Sequence, residues 1–208
     1  MSEPIFTIGH STHQLHHFIG LLRQHGITAL CDVRSIPYSR VNPQFNRETL
    51  KRALQQSGIV YVFLGKELGA RSEDPSCYVH GKVQYECIAK TELFRKGVER
   101  VREGTKRYRI ALMCAEKDPI ECHRAILVAR QLDALRLPVE HILEDGSLES
   151  HEHALSRLLR QLKLSDADMF RSLQEMIEDA YRIQGERIGY EEGGLPAHHS
   201  KQDRSAAR

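Results

Sequence analysis

The sequence predicts an α/β fold: a single open, mainly parallel five-stranded sheet with helices on both faces. A Rossmann-like or flavodoxin-like winding is expected, with the strand order left open. Three observations predict it. Short apolar runs alternate with amphipathic stretches, a glycine closes most of those stretches, and the next apolar run comes at once. With 208 residues, 40% hydrophobic and 28% charged, the chain can bury a core without disulfides or structural metals.

Ile5 to Ile8 reads as the first strand, stopped by Gly9. Ser11 or Thr12 is expected to cap a helix whose Leu15, Phe18, Ile19 and Leu22 share one face, and Gly26 ends it. Thr28 to Val33 is the second strand. Asn46 starts a helix with Leu50, Ala53 and Leu54 inward, Gly58 closes it, and Ile59 to Leu64 is the third strand. Residues 65–84 break the rhythm with Gly65, Gly69, Asp74, Pro75 and Gly81, a long insertion of the kind that is often functional. A helix from Tyr85 to Glu103 leads to the fourth strand, Tyr108 to Met113, and a helix from Pro119 to about Arg136 leads to the fifth, Val139 to Leu143. His151 to Leu162 is amphipathic, and Ser165 can cap one more helix. The expected organisation is an α/β domain over 1–164, a helical extension packed on it over 165–192, and a disordered tail over 193–208.

No run approaches the roughly 18 apolar residues of a spanning helix, so no membrane partner is expected. An acid at Glu3 and a strand-like run directly after it do not read as a signal peptide, and a cytoplasmic protein is expected. Five Cys without framework spacing are expected as thiols, Cys31 among them as a small buried hydrophobe. A net charge of +2 argues against a large face for duplex DNA but permits a local anion site.

In open parallel sheets ligands bind beyond the carboxyl ends of the strands. The residues at and just past those ends are therefore the candidates. Gly9, His10 and Ser11 come after the first strand; Asp32 and Arg34 end the second; Cys114, Glu116 and Lys117 come after the fourth; His141, Glu144 and Asp145 belong to the fifth. The segment from Cys114 to Arg124 is the richest. Asp118 before Pro119 is a helix start, Cys114 would face that start, and Cys122, His123 and Arg124 would lie in its first turns. The plain alternative is a charged helix start with two buried thiols. Arg34, Arg40 and Phe45 lie in a polar connection that could grip phosphate and stack a ring.

Two familiar constellations fit poorly. A cysteine phosphatase places Arg six residues after its Cys, where this chain has Ile120. Zinc wants four ligands at familiar spacings, and no CxxC pair supports Cys114, Cys122 and His123. No metal is assigned, and the cofactor is left unknown.

Thr7-Ile8-Gly9-His10-Ser11, Asp32-Val33-Arg34, Phe45-Asn46, Tyr61 with Leu64-Gly65, Cys114-Ala115-Glu116 and Cys122-His123-Arg124 occur in this order. So do His141-Ile142, Asp145-Gly146 and the run from Gln184 to Tyr190. Together they resemble the domain-of-unknown-function family 488 from about residue 4 to 190. The resemblance implies an α/β protein with a suspected link to nucleotide or nucleic-acid enzymology and no assigned activity.

The expected function is an enzyme, a hydrolase or transferase, acting on a phosphate-bearing ligand such as a nucleotide or nucleic-acid component. His10, Asp32, Cys114, Glu116 and His123 are its catalytic candidates. Gly9, Ser11, Arg34, Arg40, Phe45, Cys122 and Arg124 are its ligand-binding candidates. Two alternatives stand beside it: a rhodanese-like sulfurtransferase using Cys114, and a non-catalytic module that binds a nucleotide or a protein. Nucleic acid stays open as a partner, and the oligomeric state is unread.

Overall fold

The computed structural model describes residues 3–164 and 171–192. Strand β1 (Ile5–Gly9), helix α1 (Leu15–Gln24), strand β2 (Ala29–Asp32), helix α2 (Arg47–Gln56) and strand β3 (Val60–Phe63) form two successive βαβ units. The insertion holds a short helix, α3 (Gly65–Leu68), and a small hairpin of β4 (Tyr78–Val79) and β5 (Lys82–Val83). Helices α4 (Tyr85–Lys90) and α5 (Glu92–Gly104) lead to β6 (Ile110–Cys114). After it come a π-helical segment Arg124–Ala129, α6 (Arg130–Ala134), β7 (Val139–Ile142), β8 (Leu148–Ser150), α7 (His151–Gln161) and α8 (Leu173–Ile188).

The sheet has six strands in the order β3-β2-β6-β1-β7-β8. Five are parallel, as expected; β8, which the sequence reading omitted, pairs antiparallel with β7 at the edge. The connections from β1 to β2 and on to β3 step one way along the sheet. Those from β3 to β6 and on to β7 step the other way. Right-handed crossovers therefore place α1 and α2 on one face and α5 and α6 on the other. The core divides accordingly. Phe18, Leu22, Leu50 and Leu54 pack with Leu30 and Met113, whereas Phe94, Val98, Val101 and Leu132 pack with Cys31 and Leu112. Neighbouring residues of β6 alternate between these two layers, as the period of a strand requires.

Local details depart from expectation for physical reasons. Neither Ser11 nor Thr12 caps α1; Gln14 holds the cap position, and Ser11 turns the chain at φ 46°. The helix expected from Tyr85 breaks at Thr91, whose hydroxyl caps α5. The helix expected from Pro119 is instead a 3-10 turn, Pro119–Glu121, and then the π-helical segment, because Cys122 is extended between them. Ser165 lies outside the described residues, and Ser172 forms a capping box with Glu175 at the start of α8. The tail expected from Gly193 also lies outside them.

Cys77 and Cys87 correct the expectation of five free thiols: they form a disulfide with Cα atoms 5.2 Å apart. Their ten-residue spacing carries no signal in sequence; the β4–β5 hairpin folds the chain back so that Gln84 N–H meets Cys77 O at 2.7 Å. Cys31 is the buried hydrophobe expected, its thiol pushed up to about 12 by burial. No helix among the described residues is long and apolar enough to cross a membrane.

Candidate active site

β2 connects toward β3 while its neighbour β6 connects toward β7, on the opposite face. Such a point of divergence leaves a crevice at the carboxyl edge of the sheet. A crevice of about 1490 Å³ lies there, lined by His10, Ser11, Arg34, Glu116 and Lys117 together with the loop that holds Ile36, Tyr38 and Val41.

Gly9 stands in register with Cys114 on the adjacent strand. A Cβ at Gly9 would come within 1.9 Å of Glu116 O, so only glycine lets the segment after β6 fold over β1. What approaches Gly9 closely is that segment of the protein itself. Backbone hydrogen bonds of 2.9 Å from His10 N–H to Cys114 O and from Ser11 N–H to Ala115 O hold it down.

The candidate residues share this edge and divide between its faces. Asp32 lies in register with Met113, on the α1–α2 side. Its carboxylate is fully buried and accepts from Arg34 Nε at 2.9 Å, from Arg34 Nη2 at 2.7 Å and from Tyr61 OH at 2.7 Å. Burial works against the Arg34 charge, but Asp32 more than restores it and holds the guanidinium above its ordinary value. Arg34 also donates to Phe45 O at 2.9 Å and to His10 Nε2 at 3.2 Å. His10 Nδ1–H donates to Ser11 O at 2.9 Å, which defines a neutral imidazole. Burial, then the Arg34 charge, lower the His10 pKa to about 4. Phe45 is fully buried, its ring stacked on His10 at 4.4 Å between centroids. Arg40 is exposed.

Cys114 points to the opposite layer, with Leu112. The 3-10 turn after Asp118 brings Cys122 and His123 back beneath the strand end. Glu116 Oε2 lies 2.9 Å from Cys114 Sγ and 3.0 Å from Cys122 Sγ. His123 Nδ1 lies 3.5 Å from Cys114 Sγ and 3.9 Å from Cys122 Sγ, while its Nε2–H donates to Val33 O at 3.1 Å. One ligand atom from each of these four residues lies within 4.8 Å of every other.

Burial raises the Cys114 thiol well above its ordinary value, and Cys122 adds to the effect. Burial opposes ionisation of Cys122 as well, yet Cys114, Arg124 and His123 together hold its thiol well below the ordinary value. His123 is raised, Cys122 overcoming its burial, and Glu116 is raised by burial and then by Cys122. Although the residue Glu116 is exposed on the crevice, its carboxyl end is buried against the thiols.

Arg124 is fully buried and donates to Glu116 O at 2.7 Å and Lys117 O at 2.9 Å. It clamps the segment that carries Glu116. The buried Cys114 thiol, packed against a carboxylate, is a poor seat for a persulfide.

The sequence reading missed Ile36, Tyr38 and Val41. All three are more than half exposed, Tyr38 at 63%. Apolar side chains recurring in an otherwise polar strand-to-helix connection were the available signal. Arg71, also on the crevice, comes from the insertion and carried none.

The sequence pattern described as Domain of unknown function DUF488 matches residues 14–131, more than half of the chain. The protein belongs to this family. The DUF488 match takes in Asp32, Arg34 and the whole span from Cys114 to Arg124, and it begins after Gly9, His10 and Ser11. No curated protein and no solved structure matches the chain.

Proposed function

We propose that this DUF488 protein is an enzyme acting on a nucleotide or nucleic-acid component bound in the crevice. The observation that carries the proposal is the position of Glu116, a residue that lines the crevice and sets its carboxyl end on Cys114 and Cys122. A proton carrier that links bound ligand to a reactive cluster is what a hydrolase or transferase needs. Across the crevice, Tyr38, Ile36 and Val41 offer an exposed aromatic and apolar wall suited to a planar base. Arg34 and Arg124 are occupied by Asp32, Phe45 O and the loop carbonyls, and Lys117 pairs with Glu144, so Arg71, whose guanidinium stacks on Tyr190 at the crevice, is the cation for a phosphate.

Titration calorimetry with mononucleotides and nucleosides tests the binding step, and turnover of whichever ligand binds tests the chemistry. Tyr38→Ala should weaken binding by about 1–3 kcal/mol, the worth of stacking one base. Glu116→Gln should leave binding intact and slow turnover by roughly 10²–10⁴. Absence of binding by every nucleoside and nucleotide at millimolar concentration would overturn the proposal, and binding without turnover would reduce the protein to a binding module.

A further inference from the structure

We propose that Cys114, Glu116, Cys122 and His123 form a binding site for a divalent cation of the zinc class. The site does not depend on what the crevice takes, and its test reads metal rather than nucleotide.

Two thiols, a carboxyl and an imidazole, four groups that compete for protons, converge on one point. A carboxyl oxygen 2.9 and 3.0 Å from two sulfurs is held there by protons shared among the three groups or by a cation that replaces them. The sulfur–nitrogen spacing suits the cation. With Zn–S near 2.3 Å and Zn–N near 2.0 Å, tetrahedral ligation puts sulfur and nitrogen about 3.6 Å apart. The two sulfur–nitrogen distances here are 3.5 and 3.9 Å. Glu116 Oε2, at 2.9 and 3.0 Å from the sulfurs, closes the fourth vertex and would settle outward by about 0.6–0.7 Å to reach the same ideal edge.

The surroundings match those of a metal ligand set. His123 turns Nδ1 to the cluster and donates its other N–H to Val33 O at 3.1 Å, the outer hydrogen bond that fixes the tautomer of a ligating histidine. Cys122 Sγ accepts from Arg124 N–H at 3.4 Å, a contact that suits a thiolate. Arg124 pins the carbonyls of Glu116 and Lys117, so the segment bearing the fourth ligand is held before any ion arrives. Two sulfurs and an imidazole select zinc over magnesium or calcium, which take oxygen ligands. Of the four ligands only Glu116 lines the crevice, so the carboxylate is the vertex nearest to it.

Cobalt serves as the spectroscopic probe. The full chain, purified under anaerobic conditions without added reductant so that the Cys77–Cys87 disulfide stays closed, is loaded with Co²⁺ or Zn²⁺, desalted and measured for metal content and absorption. The expected result is one tightly held ion per chain, with thiolate-to-cobalt charge transfer and the strong visible bands of a tetrahedral ion. Cys122→Ala should lose the charge transfer in part and weaken binding by more than the roughly 10–100-fold that removal of an outer partner costs. Cys31→Ala, in the core, should change neither. Should Cys122→Ala fail to fold, protection of Cys114 and Cys122 from alkylation by bound zinc in the natural sequence replaces it. Substoichiometric metal, an unchanged spectrum in Cys122→Ala, or equal alkylation with and without zinc would overturn the site. Failure of nucleotide binding with stoichiometric cobalt would sink only the proposed substrate.

Discussion

On the α1–α2 side of the sheet's carboxyl edge, buried polar groups answer one another. Asp32 accepts from both ends of the Arg34 fork and from Tyr61, while Arg34 supplies His10 and Phe45 O. On the other side, Cys114, Glu116, Cys122 and His123 crowd acids around one imidazole. Both clusters lie at the ends of adjacent strands, and both consist of residue types that catalyse reactions. The difference lies in the kind of pairing. The first network pairs a carboxylate with a guanidinium and works as a frame, whereas the second packs two thiols and a carboxyl around one imidazole, the set proposed above to take a cation.

The largest effect expected from that contrast is on the frame. Arg34→Met leaves the fully buried Asp32 carboxylate without its charge partner. A loss of about 3–5 kcal/mol in unfolding free energy is expected, measured by denaturant titration. A loss below about 1 kcal/mol would mean that Arg34 is free to serve a ligand after all.

Acid should act on the frame next. The folded state holds His10 near 4, below its ordinary 6.5, so the unfolded chain takes up the proton first. The stability this confers is complete above about pH 6.5 and is lost as pH falls toward about 4, amounting to roughly 3 kcal/mol. His141 and His151, lowered chiefly by burial, act in the same direction. A thermal midpoint that stays level between pH 7 and 4.5 would show that these imidazoles are already charged in the fold.

A third, fully satisfied chain runs from Thr7 Oγ1 through His141 and His151 to Tyr181 OH, with links of 2.7, 3.1 and 2.9 Å. It ties α7 and α8 to the sheet. His141→Phe strands the Thr7 hydroxyl and one His151 nitrogen, and should cost about 2–3 kcal/mol, again read from denaturant unfolding.

The smallest effect belongs to the reactive cluster. In metal-free protein, Glu116→Gln should change stability by less than about 1 kcal/mol, because removing one charge from a crowded set relieves as much as it loses. A destabilisation as large as that of Arg34→Met would place Glu116 in the frame and erase the contrast between the two sides.

Much of this was legible in the chain. The strand–helix–glycine rhythm announces the parallel sheet, and the carboxyl ends of its strands gather His10, Asp32, Arg34, Cys114 and Glu116 at one edge. Strand alternation even predicts that Asp32 and Cys114 face apart once their register is known, but register between strands far apart in sequence is a tertiary fact. The rest depended on folding. The Asp32–Arg34 pair, two residues apart at a strand end, is local, but nothing local says that Arg34 also turns to Phe45 O and His10, that Arg124 turns to the backbone of Glu116 and Lys117, or that Cys77 meets Cys87. Cys114-Ala115-Glu116 and Cys122-His123 lack the paired spacing of familiar metal sites because their convergence is made by a strand end, a 3-10 turn and an extended Cys122, not by one short loop. The sequence by itself determined the sheet, its carboxyl edge and the residue types there. Only the tertiary structure decided which of those residues pair with which, because hydrogen bonds in a buried place depend on distances of a few ångströms, many of them between segments that the chain order keeps apart.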